Sequence, residues 1–306
     1  MDSIFFSIII PTYNRCDLLR KAVNSVLTQT YKNFEIIIID NYSDDNTQEV
    51  VESFKNNKIV YQKIHNEGII GKSRNLGIKI SKGKWVAFLD SDDYWYKGRL
   101  QKISDFLSSN DKYEVICTDE LIIDKILDKR KIYKYGPFTE NFYIHLLQKG
   151  NCVSTSASIV RKDFLLKQNI NFNENKNFIT SEDYDFFMNL AFRKAKFKFI
   201  NEVMGEHLFH HQGQSSNYIW HKQSVMSVVK HHVFEVQDFE KNKEKLWKSF
   251  NFNFEFMDLV YFYNNKKYIK SYVIFIKVFF RFPFKTLVYI YNHLLKKLLV
   301  FFNIPS

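Results

Sequence analysis

The chain has 306 residues, 45% of them apolar and 25% charged, a balance that excludes an intrinsically disordered protein. Nine glycines and four prolines exclude collagen-like and low-complexity sequences. The length predicts one large or two modest domains, and the formal charge of +11 is not spread evenly over them.

Leu259–Ser306 holds eight Lys or Arg and no Asp or Glu, so the 258 residues before it carry only +3. Fourteen of those last 48 residues are aromatic. A nucleic-acid-binding chain shows its basic residues throughout the binding domain. A nearly neutral body with a basic, aromatic tail points away from nucleic acid and toward an anionic membrane surface. Cys16, Cys117 and Cys152 are odd in number and far apart, which predicts neither a disulfide framework nor a metal site, and hence a reducing compartment. Met1-Asp2-Ser3 has no basic n-region, and the apolar run from Ile4 stops at Pro11, too short for a signal peptide. The expected location is the cytoplasm.

In chain order, Phe5–Ile10 reads as a buried strand ended by Pro11, and Asp17–Thr28 as a helix with apolar Leu18, Leu19, Ala22, Val23, Val26 and Leu27. Phe34–Ile39 is a second strand ended by Asp40, followed by a short helix at Thr47–Phe54 and a third strand at Ile59–Lys63. Gly71–Ser81 is a helix, and Trp85–Leu89 a fourth strand ended by Asp90. This alternation predicts an α/β fold with a doubly wound parallel sheet. In such a sheet ligands bind beyond the carboxyl ends of the strands. Polar clusters stand there: Thr12-Tyr13-Asn14-Arg15, Asp40, and Asp90-Ser91-Asp92-Asp93. Beyond about residue 105 the alternation fades. Glu114–Thr118 and Ser154–Arg161 are strand-like, Ser181–Ala195 is helical, and the chain reads as helical from 219 onward.

Asp90 and Asp92 place two carboxylates at i and i+2 where a buried strand ends, a donor set suited to Mg2+ or Mn2+. Asn66-Glu67-Gly68-Ile69-Ile70-Gly71-Lys72-Ser73 approaches a phosphate-binding loop, but Asn66 stands where that motif needs Gly, which argues against an ATP or GTP hydrolase. No Gly-x-Gly-x-x-Gly follows the first strand, which argues against a dinucleotide oxidoreductase.

Four segments together resemble glycosyltransferase family 2: Pro11-Thr12-Tyr13-Asn14-Arg15, Asp40 to Thr47, Asn66 to Asn75 with Arg74, and Lys82 to Asp93. The resemblance is clear over about residues 4–105 and thinner to 217. It implies a GT-A catalytic domain over 1–218, with a nucleotide-sugar-binding half at 1–105 and an acceptor half at 106–218, followed by a helical, membrane-associating region at 219–306. It implies that Pro11, Thr12, Tyr13 and Arg15 line the nucleotide pocket, that Asp40 accepts the uracil N–H, and that Arg74 faces the base or phosphates. Asp90 and Ser91 would meet the nucleotide sugar, with Asp90 and Asp92 on the metal. Asn41-Tyr42 replaces the commoner Asp-Gly, and Ser73 stands where Ala is usual.

The acidic start of the helix at Ser181 is favoured by the helix dipole alone. The resemblance adds a role: Asp183 as the general base that deprotonates the acceptor hydroxyl, with Glu182 in support. It also matches His211, five residues before Ser216, to a metal or diphosphate contact. His65, His145 and His293 carry no functional reading. In the tail, Lys270, Lys277, Arg281 and Lys285 fall within about 80° on a helix, with apolar residues around most of the rest. The longest stretch there without a charge is Thr286–Leu295, too short to span a bilayer. The tail is therefore expected to lie on a membrane surface, with packing against the body or another subunit as the alternative.

The expected activity is inverting, metal-dependent transfer of a sugar from a UDP-sugar donor to a capsule, lipooligosaccharide or lipid-linked glycan, at the inner face of the cytoplasmic membrane. The alternatives are a sugar nucleotidyltransferase and an inactive membrane scaffold. Oligomeric state is not legible.

Overall fold

The structure, a computed structural model, describes residues 5–209 and 217–289. It divides into two compact units, 1–228 and 229–306. The expected boundary at 218/219 lies at the start of helix α8 (Tyr218–His231), whose His221 meets Thr180.

The first unit opens with β1 (Phe6–Thr12), α1 (Cys16–Leu27), β2 (Phe34–Asp40), α2 (Thr47–Ser53), β3 (Ile59–Lys63), α3 (Ile70–Ile80) and β4 (Trp85–Phe88). The four strands lie parallel in the order β3-β2-β1-β4. Phe6, Ile8 and Ile10 turn one face of β1 to Leu19, Ala22, Val23 and Val26 of α1 in a dry cluster. Ile9 turns the other way, against α3, so closely that a Cβ on Gly77 would lie 2.4 Å from Ile9 Cγ2. Both faces are covered, which is why these strands are apolar throughout rather than alternating.

Pro11 does not end β1 as the sequence predicts. The strand runs on to Thr12, with Pro11 opposite Ile39 and Thr12 opposite Asp40. Along the strand, Ile9 points its peptide groups toward β4, where its carbonyl accepts from Leu89 N–H. Pro11 has the same orientation, but the pairing with β4 stops at Ile9, so no ladder bond is lost for want of an N–H.

Beyond β4 the sheet is mixed. β5 (Tyr94–Trp95), α4 (Arg99–Ser108), β6 (Val115–Asp124), β7 (Lys129–Tyr133), α5 (Phe142–Lys149), β8 (Ser158–Arg161), α6 (Lys162–Gln168), α7 (Glu182–Phe192) and β9 (Phe197–Phe209) complete the unit. The order continues β4-β8-β6-β9-β5, with β7 beside β6. β8 is antiparallel to both its neighbours, and β6 pairs β9 in parallel with register shifts around Asp119. The parallel half is the one legible in the sequence. The antiparallel insertion brings the start of α7 to the edge where β4 ends. Cys16, Cys117 and Cys152 are free thiols.

In the second unit, α9 (Lys243–Asn264) and α10 (Tyr268–Arg281) form a hairpin, and the chain is helical again over 283–289. Pro283 follows the end of α10 and opens the next helical stretch, where its missing N–H costs nothing. The basic row expected to meet a membrane is turned largely to α9. Arg281 pairs with Glu255 at 2.5 Å, Lys285 donates to the Ser249 carbonyl, and Lys270 lies 5.7 Å from the Phe262 ring centre. The apolar row Ile269, Tyr272, Val273, Ile276 and Phe280 is left exposed instead. No helix among the described residues is long and apolar enough to cross a membrane.

Candidate active site

The polar end of β4 and the start of α7 meet around one guanidinium. Arg74, on α3, donates to Asp90 at 2.8 Å and to Glu182 at 2.6 Å. Its side chain is 3% exposed, and the guanidinium lies 5.1 Å from the Phe172 ring centre. Burial opposes its charge, but the Asp90 carboxylate first and Glu182 next hold the proton on more firmly than usual. The sequence reading placed Arg74 toward the base or phosphates. Its two terminal nitrogens are engaged by carboxylates, one from each half of the unit.

Asp90 and Asp92 stand on either side of buried Ser91, where β4 has ended. The backbone N–H of Asp90 donates to Ser156 Oγ at 3.1 Å, which fixes the turn. Asp92 accepts from Arg15 at 2.5 Å. Asp93, unassigned in the sequence, is buried and receives Leu208 N–H at 3.1 Å and the His207 ring at 3.2 Å. Burial works against protonation of His207, but the Asp93 charge beside it pushes the imidazole up. Among the described residues no three His, Cys, Asp or Glu side chains already form a metal cluster. The donor chemistry of Asp90 and Asp92 nevertheless fits a hard divalent ion, which takes few carboxylates and fills its shell with water and phosphate oxygens. His211 lies outside the described residues.

Glu182 and Asp183 occupy the first turn of α7. Asp183 is half-buried, and its carboxylate accepts from its neighbour Tyr184 N–H at 2.7 Å and from Asn151 Nδ2 at 3.1 Å. Burial first, and then the charge of Glu182, push the Asp183 carboxyl up to about 7. That is the range in which a carboxylate both ionises and accepts a proton effectively at neutral pH. Just upstream, Thr180 has φ +81°, a strained value for a β-branched residue, and its hydroxyl contacts His221 at 3.1 Å.

At the nucleotide end, Asp40 is 1% exposed and takes three protein donors: Ser43 N–H at 3.0 Å, Ser43 Oγ at 2.6 Å and Tyr61 OH at 2.5 Å. Its first work is therefore to close the loop after β2. Oδ2, with one donor, has capacity for another. Thr12 Oγ1, Arg74 Nε and Glu182 Oε2 are buried without a protein hydrogen-bond partner. Pro11 and Thr12 are buried at the end of β1, whereas Tyr13 is exposed. The structure thus gathers Arg74, Asp90, Glu182 and Asp183 into one cluster and sets Arg15–Asp92 and Asp93–His207 as ion pairs on the same turn. Asn151, Ser156 and Phe172, which position these groups, have no signal in the sequence.

The profile of glycosyl transferase family 2 matches residues 7–168, more than half of the chain. The chain belongs to this family. The UDP-Glc:alpha-D-GlcNAc-diphosphoundecaprenol beta-1,3-glucosyltransferase WfaP of Escherichia coli is 31% identical over 212 residues, covering 69% of this chain and 80% of its own. An uncharacterized glycosyltransferase of Rickettsia felis is 36% identical over 168 residues, 54% of this chain. The chain spans 27% of that relative's length and 17% of that of a second, from Rickettsia conorii. Among solved structures, S. aureus TarS in complex with UDP-GlcNAc superposes with a TM-score of 0.61 at 22% identity, covering 80% of this chain and 71% of that one. The fold is that of GT-A family 2 domains, as the motifs implied.

Proposed function

We propose that the chain is an inverting glycosyltransferase that moves a sugar from a UDP-sugar to a hydroxyl of a glycan or lipid-linked acceptor. The observation that carries this reading is the Asp183 carboxylate, poised near neutrality within one cluster with Arg74 and Asp90 in a family 2 fold. WfaP, whose name states a UDP-glucose donor and a diphosphoundecaprenol-linked acceptor, and the UDP and UDP-GlcNAc complexes of TarS support the donor class.

In this mechanism Asp183 takes the proton of the acceptor hydroxyl as its oxygen bonds to the anomeric carbon. The bond from that carbon to the diphosphate breaks, its electron pair leaves with UDP, and configuration inverts. Glu182 keeps Asp183 basic by its charge, while Arg74 keeps Glu182 in place. Asp90 and Asp92 would hold Mg2+ or Mn2+, whose charge offsets that of the departing diphosphate. The exposed apolar row of α10 supports a peripheral position on the inner face of the cytoplasmic membrane, where lipid-linked acceptors are met. The test is transfer by the purified full chain from a panel of UDP-sugars to a polyprenyl-diphosphate-linked sugar, with and without Mn2+. Turnover of one donor with inverted product supports the proposal. Retention of configuration, or no transfer or donor hydrolysis from any UDP-sugar, overturns it.

A further inference from the structure

The loops after β1, β2 and β3 are stitched together by side chains. Asn14 N–H donates to Ser43 Oγ at 2.9 Å, and Asp44 N–H to Asn14 Oδ1 at 2.9 Å. Asn66 N–H donates to Asn41 Oδ1 at 2.8 Å. Between these ties stands Tyr42, and its backbone is where a tyrosine should not be, at φ +53°. The left-handed region costs a residue with a Cβ roughly 1–2 kcal/mol and is freely open to glycine. A bulky ring kept there needs a compensating use.

The ring of Tyr42 makes no hydrophobic core. The residue is 48% exposed, with one face stacked on His65 at 3.7 Å between centroids and 7° between planes. Lys63 Nζ lies 5.9 Å from its centre. Two residues before Tyr42 is Asp40, and Ser43 after it is what Asp40 holds. Tyr13, likewise exposed, is the residue before Asn14 on the neighbouring loop. Two open aromatic rings thus stand on stitched loops at the carboxyl ends of β1 and β2, where a doubly wound sheet binds its ligand.

We infer that Tyr42, backed by His65, is an added stacking platform for the nucleobase of the donor. The inference rests on the nucleotide-sugar reading above and adds to it a residue that sets affinity. His65 holds the Tyr42 ring in one orientation, so little side-chain freedom is lost when a base arrives. Stacking tolerates any base, so the platform supplies grip, and discrimination among bases is left to hydrogen bonding.

The test is UDP titration by calorimetry of the full chain as wild type, Tyr42→Gly, Tyr42→Phe and His65→Ala, with inorganic pyrophosphate as the base-free probe. Tyr42→Gly should weaken UDP binding roughly 5- to 100-fold, the scale of one base–aromatic stack, and leave pyrophosphate binding unchanged. It should unfold at or near the wild-type temperature, because relief of the left-handed strain offsets the lost stack. Tyr42→Phe should bind UDP as wild type, and His65→Ala should fall between. Wild-type UDP affinity in Tyr42→Gly overturns the platform and leaves the donor reading intact. If wild type binds neither UDP nor any other nucleoside diphosphate, the donor reading and the platform fall together.

Discussion

Replacing Asp183 with Asn separates the carboxylate's chemistry from its cost to the fold. Burial and the charge of Glu182 push this carboxyl up to about 7. A raised value means the fold favours the protonated form. The stability this gives is fully present below the unfolded value of about 3.9 and is lost as pH rises through about 7. A fully desolvated carboxylate so perturbed would cost the ionised fold ~4 kcal/mol. Asp183 is half-buried, so solvent screening brings this to ~1–2 kcal/mol. The substituted amide could still accept Tyr184 N–H through its oxygen, but its NH2 would face the Asn151 amide donor to donor, at a cost of ~1 kcal/mol. At about pH 8 the variant should therefore melt as wild type or up to ~4 °C above it. At about pH 4, where Asp183 is already neutral, only the lost hydrogen bond remains and the variant should melt a few degrees lower. Turnover at about pH 8 should fall by ~10²-fold or more, the scale of general-base catalysis, and the gap should narrow as pH drops below about 7, where the wild-type carboxyl is itself protonated. The checks are thermal unfolding at both pH values and initial transfer rates. Wild-type turnover, or a melting difference that ignores pH, would refute the assignment.

Arg74→Met leaves the Asp90 and Glu182 carboxylates facing each other without their shared cation, and chemical denaturation should show a loss of ~3–5 kcal/mol; a loss under ~1 kcal/mol would mean that Arg74 is not what holds the two halves of the site. Asp92→Ala breaks one ion pair at the pocket edge, so unfolding should shift little, while Mn2+ enhancement of UDP binding and transfer should vanish. Full wild-type activity in excess EDTA would sink the metal role. In the tail, Phe280 and Phe284 are 79% and 84% exposed. Changing both to Asp should cut flotation with anionic vesicles by at least ~100-fold, from the ~1.5–3 kcal/mol each ring gains on insertion. Unchanged flotation would return the exposed row to a protein contact. Substitution serves better than truncation here, since α9 packs against the helical stretch after α10 by Phe256 on Tyr289.

What was legible follows from where the strands lie. β1, β2 and β4 are covered on both faces, so each is an unbroken apolar run whose end marks a ligand-facing loop. β7, Lys-Arg-Lys-Ile-Tyr, is exposed along its whole length and carries no hydrophobic signal. β9 alternates irregularly because it bends through register shifts beside β6. The site divides the same way. Asp90 and Asp92 declare themselves by position after β4, but the Arg74–Glu182 and Asp93–His207 contacts join residues 108 and 114 apart, distances no local pattern encodes. The pairing of His207 with buried Asp93 depends on a strand pairing the sequence does not announce.

In the tail the periodicity was legible and the neighbour of its basic row was not. Of the tail's basic row, Arg281 and Lys285 spend their donors on α9, and Lys270 lies over one of its rings. Helical spacing fixes which residues share a face; it does not say what that face meets. With those cations engaged, the electrostatic share of any membrane affinity shrinks and the exposed aromatic row must supply most of it. The two shares respond differently to salt, since attraction to anionic lipid is screened within about 8 Å at physiological ionic strength while apolar insertion is not. Vesicle binding of this chain should thus persist at high salt, where a charge-driven tail would let go.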